Sequence, residues 1–184
     1  REAVEALFTM AYGHRPAVVA SAPGRVNLIG EHTDYNGGEV LPIAIAQRTW
    51  VAMAPARGDV SRAVSRERGE AGEWGSAYAR PTGTWWDYVA GALREASSLG
   101  ARPHGHDVAV ISDVPMGAGL SSSAALEVAT VAAALAMEGH RLARRHEGGA
   151  SSLRDVALAA HRAESNFVGV ACGIMDQFAS ALCE

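Results

Sequence analysis

The sequence predicts an α+β domain, because strand-like and helix-like segments follow one another without a regular alternation. Leu41–Ala54 is mostly apolar, and Val108–Ile111 is apolar and β-branched, as expected of strands. Tyr88–Leu99 is amphipathic and Ala124–Met137 is rich in alanine, as expected of helices. A doubly wound sheet would instead require strands and helices in strict alternation. The 184 residues suffice for one sizeable hydrophobic core.

Local signals predict the remaining elements. Arg57–Gly83 is rich in charged residues and glycine, which predicts a hairpin with exposed loops. Ser152 is followed three residues later by Asp155, and this capping-box-like start predicts a helix that runs to about Phe167. Two histidines in the run His104–His106 precede a strand without further metal ligands, so we expect a polar loop there.

Composition and charge argue against several kinds of partner. The net charge is −4 and the basic residues are scattered, so we expect no nucleic-acid binding. The longest apolar-rich run, Val128–Met137, is too short to span a membrane, and Arg1–Gly13 lacks the apolar stretch of a signal peptide. Cys172 and Cys183 show no metal-ligand spacing, which fits a reducing cytoplasm. The sequence leaves the oligomeric state open.

The 184 residues include no lysine, since all 16 basic side chains of the Lys+Arg class are arginine. A Walker A loop and a protein kinase both place a lysine on the nucleotide phosphates, so neither fits this chain. Schiff-base chemistry is excluded for the same reason. Any phosphate binding would therefore use backbone amides, hydroxyl groups, arginine or a metal ion.

The segment Ala22–Gly38 combines four glycines with Arg25, Glu31, His32 and Asp34. Turn-forming and hydrogen-bonding residues are interleaved here too densely for a core element or a solvated linker. We therefore predict a binding loop whose oxygen atoms accept hydrogen bonds from a polyhydroxylated ligand. A polar turn between strands would explain any one of these residues but does not require all four together.

A glycine- and serine-rich loop lies between the strand Val108–Ile111 and the helix that starts near Ala124. Free N–H groups and the positive end of the helix dipole favour an anion at such a place. A serine-capped helix after a glycine turn is the plain alternative, but three hydroxyl groups exceed what capping requires. The loop consists of Gly117, Ala118, Gly119, Leu120, Ser121, Ser122 and Ser123.

Two carboxylates near the end of the chain are candidates for chemistry. Glu164 falls on the apolar face of its helix, four residues after Ala160, where a charge requires a partner. That partner could be an arginine or a magnesium ion, or the helix could end early and expose Glu164. Asp176 follows a glycine-punctuated loop near the start of a helix, where an acidic residue is common as a dipole partner.

Together, three segments resemble the galactokinases of the GHMP small-molecule kinase superfamily. Ala22–Gly38 resembles the galactokinase signature, Gly117–Ser123 the nucleotide-binding motif and Gly173–Gln177 the catalytic segment. The one departure in the nucleotide motif is Ala118, where the family usually has glycine. That alanine matters only if the residue requires a positive φ.

The resemblance spans essentially the whole chain and implies its organisation. Residues 1–184 would form a GHMP kinase N-terminal domain, similar to domain 2 of ribosomal protein S5. Residues 1–50 would hold the galactose-binding signature, and residues 107–184 the ATP-binding and catalytic region. We expect the chain to be a piece of a longer protein, with the C-terminal domain absent from it.

The resemblance also implies roles for the sugar and catalytic residues. Asp176 would accept the proton of the C1 hydroxyl of galactose, and Arg25 beside it would favour the ionised carboxylate. The reaction would be ATP-dependent formation of galactose 1-phosphate, which requires mainly alignment and charge stabilisation. The sugar hydroxyls would be bound by Glu31, His32, Thr33 and Asp34.

The nucleotide and metal roles follow from the same resemblance. Gly117–Ser123 would surround the ATP phosphates, and Trp85 would shield the adenine. The neighbouring Trp86 competes for that position, and two ordinary packing tryptophans are the plain alternative. Mg²⁺ would be held by Ser123 and Glu164. Galactose and MgATP are therefore the expected partners.

Two alternative functions remain open. A non-catalytic sensor could bind galactose and ATP and engage a transcriptional regulator. Such sensors have lost the Ser-Ala pair after the serine run, whereas Ser123-Ala124 is present in this chain. A kinase for N-acetylgalactosamine would keep the chemistry and change the sugar.

Overall fold

The computed structural model describes residues 1–75, 80–143 and 151–183. The helices are α1 (Glu2–Tyr12), α2 (Asp87–Ala96), α3 (Ser122–Met137), α4 (Leu153–Arg162) and α5 (Met175–Leu182). The strands are β1 (Val18–Asn27), β2 (Pro42–Pro55), β3 (Val60–Ser65), β4 (Ala71–Gly75), β5 (His106–Ser112), β6 (Leu142–Ala143) and β7 (Ser151–Ser152). Short 3₁₀ helices occupy Asp34–Asn36 and Ser97–Leu99, and a π-helical segment at Ala163–Val168 continues α4.

The main sheet has five strands in the order β1-β2-β5-β3-β4. Its neighbouring strands are antiparallel except β3 and β5, which are parallel. The short strands β6 and β7 form a separate parallel pair. A mixed sheet with irregularly placed helices confirms the predicted α+β fold.

Both faces of the central strands are buried, which explains their continuous apolar character. Successive side chains of a strand point to opposite faces, and β2 and β5 follow this rule. One face packs against α2, α3 and α4, and the other packs against α1. The first face carries Val51, Met53, Val108 and Val110, and the second carries Ala52, Ala54, Ala109 and Ile111.

No sequence pattern had predicted α1, which is fixed to the sheet by a network around Asp107. The carboxylate of Asp107 is 1% exposed and accepts a 2.7 Å hydrogen bond from Nη2 of Arg62. A 3.1 Å hydrogen bond joins its other oxygen to Nε2 of His14. The hydroxyl of Tyr12, at the end of α1, donates to the carbonyl of Val108 at 2.8 Å. These contacts hold the second layer of the fold in place.

The expectation that Ala22–Gly38 contains no core element is wrong for its first part. Residues 22–24 are buried in β1, which continues to Asn27. The pairing register with β2 shifts between Pro23 and Arg25. At Gly24, a Cβ atom would lie 2.7 Å from the carbonyl oxygen of Leu120, so β1 can approach that loop only because a side chain is absent. The polar part of the segment follows as a loop.

The other predicted elements agree with the structure within a few residues. The capping box of α4 is present, because Asp155 N donates to Ser152 Oγ at 3.1 Å and Ser152 N donates back to the Asp155 carboxylate at 3.3 Å. The helical segment continues through the π-helical turns to Val168, as expected. The hairpin predicted for Arg57–Gly83 is formed by β3 and β4, and residues 76–79 lie outside the described residues.

A carboxylate lies inside the core between α3 and α5. Glu127 and Gln177 are both fully buried, and Gln177 Nε2 donates to Glu127 Oε2 at 3.5 Å. The second oxygen, Oε1 of Glu127, has no hydrogen-bond partner among the described residues. Burial raises the pKa of Glu127 well above its usual range, and the nearby charge of Glu164 raises it further.

We predict that Glu127→Gln stabilises the fold near pH 7 and not near pH 4. Because the folded state binds this proton more tightly than the unfolded state, stability is lost as the pH rises from the ordinary glutamate pKa towards the raised one. Removing the charge should therefore add roughly 1–2 kcal/mol near neutral pH, the scale of an unsatisfied buried polar group.

Urea denaturation without divalent cations, followed by tryptophan fluorescence at both pH values, measures this difference. Glu73→Gln, at an exposed position of β4, is the matched control and should change little at either pH. A pH-independent effect of Glu127→Gln would contradict the assignment of a destabilising buried charge.

Candidate active site

Three side chains from distant parts of the chain meet at the centre of the site. They are Arg25 of β1, Ser121 of the loop before α3, and Asp176 of the first turn of α5. Oδ1 of Asp176 accepts hydrogen bonds from Nε of Arg25 at 2.8 Å and lies 2.6 Å from its Nη2. Oδ2 of Asp176 accepts from the hydroxyl of Ser121 at 2.6 Å. The side chains of Arg25 and Asp176 are 12% and 29% exposed, so the ion pair is partly shielded from water. The predicted pairing of Arg25 with Asp176 is present in the structure.

The backbone of the glycine- and serine-rich loop is held by the same arginine. The N–H of Arg25 donates to the carbonyl of Leu120 at 3.1 Å, and its Nη1 donates to the carbonyl of Gly119 at 2.6 Å. Ser121 adopts a left-handed conformation with φ 57°, which is uncommon outside glycine. Its side chain makes no capping bond to α3 and is directed to Asp176 instead. Local strain at this position is thus compensated by a contact in the site.

The backbone conformation of the loop, with positive φ at two positions, favours glycine at both. Gly117 and Gly119 have φ values of 70° and 71°, and a Cβ atom at either would meet nothing within 4 Å. The loop surface is therefore open to a ligand. Ala118 is not among the residues with positive φ, so alanine is compatible with this conformation. Ser122 and Ser123 form the first turn of α3.

Asp34 is the residue of the predicted sugar loop that reaches the catalytic segment. Its Oδ2 accepts a 3.2 Å hydrogen bond from the backbone N–H of Met175, next to Asp176 in α5. A Cβ atom at Gly173 would lie 1.7 Å from the same oxygen, so only glycine permits this approach. The glycine of the catalytic segment therefore makes room for Asp34.

The other residues of the predicted sugar loop occupy the exposed side of the same turn. Glu31 and His32 are exposed, and Nδ1 of His32 is hydrogen-bonded to the hydroxyl of Tyr35 at 2.7 Å. The hydroxyl of Thr33 lies 2.7 Å from the carbonyl of Gly30 and holds the turn together. Among the described contacts, none joins Glu31, His32 or Thr33 to Asp176.

A cavity of about 230 Å³ opens beside the loop and is bordered by Gly117, Ser122 and Ser123. Trp85 lines this cavity and is 8% exposed, and its indole Nε1 has no partner among the described residues. Trp86 is instead packed onto Gly72, where a Cβ atom would lie 2.4 Å from its ring. No sequence pattern indicated the lining residues that come from other elements, namely Thr49, Ser65, Arg68 and Tyr88.

Glu164 lies on the buried face of its helix, as predicted, and is 6% exposed. Its Oε2 accepts from Nε2 of Gln177 at 2.5 Å and lies 3.7 Å from the thiol of Cys172. Burial raises the pKa of Glu164, while a hydrogen bond from Ser123 acts in the opposite direction. Among the described ion pairs none joins an arginine to Glu164, so the salt-bridge alternative has no support.

Ser123 and Glu164 are thus in contact and present only oxygen atoms, the donor type that Mg²⁺ prefers. Mg²⁺ commonly binds one or two protein groups and takes its remaining ligands from water and substrate phosphates. In the part of the chain that the structure describes, no group of three or more His, Cys, Asp or Glu side chains could hold a metal ion alone. This donor set fits an ion that arrives with a nucleotide.

The thiol of Cys172 belongs to the same cluster. Burial, followed by the negative charges of Glu164 and Glu127, raises the pKa of Cys172 to about 12. The thiol therefore keeps its proton at neutral pH and is a poor nucleophile.

Comparison with known proteins assigns the chain to a family. The galactokinase galactose-binding signature matches residues 6–55, and the GHMP kinases N terminal domain matches residues 87–184.

In the described residues, no helix combines the length and the apolar character needed to cross a membrane.

Several galactokinases are similar to the chain. The galactokinase of Roseiflexus sp. is 43% identical over 171 residues, which cover 92% of this chain and 41% of the relative. The galactokinase of Thermosipho africanus is 44% identical over 160 residues, which cover 87% and 42%. The chain thus spans less than half the length of the curated relatives it matches.

Comparison with solved structures leads to the same family. The crystal structure of Lactococcus lactis galactokinase complexed with galactose superposes with a TM-score of 0.82 at 27% identity, covering 100% of this chain and 46% of that one. Methanococcus jannaschii mevalonate kinase, at 18% identity and a TM-score of 0.73, shares the fold over 89% of this chain and 50% of that one. The resemblance to galactokinases is confirmed, and the chain belongs to the GHMP kinase family.

Proposed function

We propose that the protein phosphorylates galactose at its C1 hydroxyl, with ATP as the phosphoryl donor. The observation that carries this proposal is the position of Asp176, which lies against Arg25 and Ser121 at the glycine-rich loop. Asp34 reaches the same helix start from the galactose-binding signature. A carboxylate, a cation and a phosphate-type loop are therefore assembled beside a sugar-type loop.

In the proposed reaction, the C1 oxygen of galactose forms a bond to the γ-phosphorus as the bond to the bridging oxygen of ADP breaks. The hydroxyl proton passes to Asp176, and ADP leaves. Such a transfer depends mainly on alignment and on stabilising charge, because its transition state is loose. Arg25 is placed to stabilise negative charge on the transferred group.

The hydrogen bonds of Asp176 indicate which oxygen would accept the proton. Oδ1 already faces two nitrogens of Arg25, whereas Oδ2 receives a single hydrogen bond from Ser121. A carboxylate oxygen has two lone pairs, so Oδ2 keeps one available. We therefore assign proton acceptance to Oδ2. Ser121 then orients Asp176 as well as belonging to the phosphate loop.

The sugar would lie between Asp34 and Asp176. Asp34 uses one lone pair of Oδ2 for Met175 N–H, which leaves Oδ1 for sugar hydroxyls. Glu31 and His32 are exposed on the same turn and would contact the ring from the solvent side. Thr33 would support the turn through its hydroxyl.

For the nucleotide, Gly117–Ser123 would surround the phosphates and Trp85 would contact the adenine in the adjoining cavity. Ser123 and Glu164 would hold Mg²⁺, since they are in contact and offer oxygen ligands. The ion, when bound, would neutralise charge on the β- and γ-phosphates. Gln177 holds Glu164 in place through its 2.5 Å hydrogen bond.

The alternatives receive less support. The similar curated proteins are named galactokinases, and the Ser123-Ala124 pair is present, which favours an enzyme over a sugar sensor. The galactose complex of the Lactococcus lactis enzyme favours galactose over N-acetylgalactosamine as the sugar.

We further propose that residues 1–184 form the N-terminal half of a longer cytoplasmic enzyme, with 1–50 serving the sugar and 107–184 serving ATP and catalysis. The chain covers less than half the length of its relatives, which supports a second domain. Exposed apolar side chains support it as well. Leu28 and Ile29, in the sugar-binding segment, and Leu41, just before β2, are 59%, 70% and 54% exposed. Apolar surface of this kind is typical of an interface.

The first functional prediction concerns Asp176. In the full-length protein, Asp176→Asn should lower kcat at least about 100-fold, because the amide cannot accept the proton. Calorimetric binding of galactose and of ATP should persist. Asp59→Asn, in an exposed turn, is the matched control and should keep full activity. Retention of most turnover in Asp176→Asn would refute the proposed role of Asp176 as the proton acceptor.

The second functional prediction concerns binding of the sugar by Asp34. Asp34→Asn keeps an oxygen for Met175 N–H but removes the charge offered to sugar hydroxyls. We expect the KM for galactose to rise at least about tenfold while the KM for ATP stays constant, since hydrogen bonds to charged groups contribute roughly 1.5–3 kcal/mol. Steady-state kinetics with each substrate varied in turn measures both. Glu39→Gln, exposed in the same loop, should match the wild type. An unchanged galactose KM would refute the assignment.

The third functional prediction concerns binding of Mg²⁺ by Ser123 and Glu164. Ser123→Ala and Glu164→Gln should each raise the Mg²⁺ concentration for half-maximal activity about tenfold, and the double variant should show less than the product of both effects, as expected for a shared partner. Mn²⁺ binding in the presence of ADP, followed by electron paramagnetic resonance, provides a second readout. Glu2→Gln, exposed in α1, is the control. Multiplicative losses with unchanged metal binding would argue against one shared site.

A further inference from the structure

The histidines of the chain differ in what they can contact. His106 does not belong to a polar loop, contrary to expectation, because it is the first residue of β5 and is 4% exposed. Its ring is therefore enclosed by the protein. His32, in the predicted sugar loop, is exposed, so its ring is open to a ligand.

The backbone of His32 has an uncommon conformation. Among the described residues, His32 and Ser121 are the non-glycine residues with a positive φ, at 60° and 57°. The Cβ atom disfavours this left-handed conformation, which persists where the surrounding structure holds it. At Ser121 the compensating contact is the hydrogen bond to Asp176 in the candidate active site. His32 requires compensating contacts of its own.

Two side chains of the short 3₁₀ helix Asp34–Asn36 supply these contacts. The hydroxyl of Tyr35 lies 2.7 Å from Nδ1 of His32, and the two rings meet edge to face with their centroids 6.0 Å apart. Nδ2 of Asn36 donates to the backbone carbonyl of His32 at 2.9 Å. The first contact fixes the ring of His32, and the second fixes its backbone.

The same short helix also carries Asp34. Oδ2 of Asp34 accepts the hydrogen bond from the N–H of Met175, next to Asp176. Asp34 is therefore joined to the catalytic segment, while the next two residues, Tyr35 and Asn36, reach back to His32. One turn thus holds two of the proposed sugar contacts in a fixed relation.

The contact with Tyr35 also determines what His32 can offer to a ligand. A neutral imidazole donates from one ring nitrogen and accepts at the other, and a hydrogen bond at one nitrogen sets the role of the other. A phenolic O–H is a stronger donor than the N–H of a neutral imidazole, so Tyr35 donates to Nδ1 and the ring proton lies on Nε2. The carboxylates of Glu31 and Asp34 only accept, so the Nε2–H of His32 complements them.

We propose that Tyr35 and Asn36 are positioning residues for the sugar, which hold His32 so that its Nε2–H donates to one hydroxyl of galactose. This inference rests on the proposed function, because it takes the predicted sugar loop to bind galactose. A hydroxyl group both accepts and donates, so it can receive the Nε2–H of His32 and donate to a carboxylate of the same loop. Such a pair of hydrogen bonds selects for a sugar that has this hydroxyl.

Calorimetric titration of galactose into the full-length protein, without ATP, tests the proposal. Tyr35→Phe and Asn36→Ala should each weaken binding about fivefold, the scale of one neutral hydrogen bond. In turnover assays both should raise the KM for galactose and leave kcat within about twofold, because the proton acceptor Asp176 is not altered.

Matched controls separate positioning from a general effect on the fold. Tyr12→Phe also loses a hydroxyl, one that holds α1 on the sheet by donating to the carbonyl of Val108 at 2.8 Å. Asn166→Ala removes an amide at an exposed position. Both controls should bind galactose like the wild type.

The decisive measurement is a double-variant cycle. In the His32→Ala protein, the additional change Tyr35→Phe should cause no further loss of affinity, because Tyr35 acts through His32. ¹⁵N NMR of the His32 ring, with its signals assigned from His32→Ala, should show the proton on Nε2 in the wild type and a mixture of tautomers in Tyr35→Phe. Among the monodeoxy derivatives of galactose, one should bind Tyr35→Phe as well as it binds the wild type, and that sugar identifies the hydroxyl.

The proposal is overturned by wild-type affinity of Tyr35→Phe or Asn36→Ala, or by a proton on Nδ1 of His32 in the wild type. An undiminished effect of Tyr35→Phe in the His32→Ala protein would mean that Tyr35 contacts the sugar itself, and would overturn it too. A loss that persists with every deoxy sugar has the same consequence. None of these results affects the proposed phosphorylation, which is measured by galactose-dependent ADP production. Conversely, a protein that binds galactose with the expected pattern but forms no ADP would refute the proposed function and support this inference.

Discussion

The carboxylate of Asp176 is the constraint on which the arrangement of the site depends. It receives Arg25 on one oxygen and Ser121 on the other, from residues 151 and 55 positions away in the chain. Charge-assisted hydrogen bonds of this kind are short and directional. They fix β1, the glycine-rich loop and α5 relative to one another. The loop in turn determines where a phosphate group can lie with respect to Asp176.

The lack of a side chain at two glycines is as important for the geometry of the site as the polar contacts. Gly24 lets β1 approach the carbonyl of Leu120, and Gly173 lets the loop before α5 approach the carboxylate of Asp34. Any Cβ atom at these positions would overlap the neighbouring oxygen, so the backbone would have to move. Small displacements of reacting groups have large effects on phosphoryl transfer. The two glycines therefore contribute to alignment without touching a substrate.

The sequence allowed prediction of features that depend on neighbouring residues, such as the capping box of α4 and the burial of Glu164 on a helix face. Motif resemblance brought Arg25 and Asp176 together correctly. Other features that depend on distant contacts were not predictable from local sequence patterns. The left-handed Ser121 and the fully buried Gln177 are set by partners on other elements. Propensity and periodicity describe local structure only and do not encode such contacts.

The balance of charge around α5 gives a further argument for the proposed cation. Glu127 and Glu164 are buried near Asp176, and Arg25 is the cation that pairs with this group among the described residues. Burial raises the pKa of both glutamates, the charge of Glu164 raises that of Glu127 further, and the charge of Asp176 raises that of Glu164. Adding negative phosphates nearby would therefore be unfavourable without compensation. Gln177 relieves part of the repulsion by donating to both carboxylates. A divalent ion between Ser123, Glu164 and the nucleotide would relieve the rest, and we infer that nucleotide and metal bind this site together.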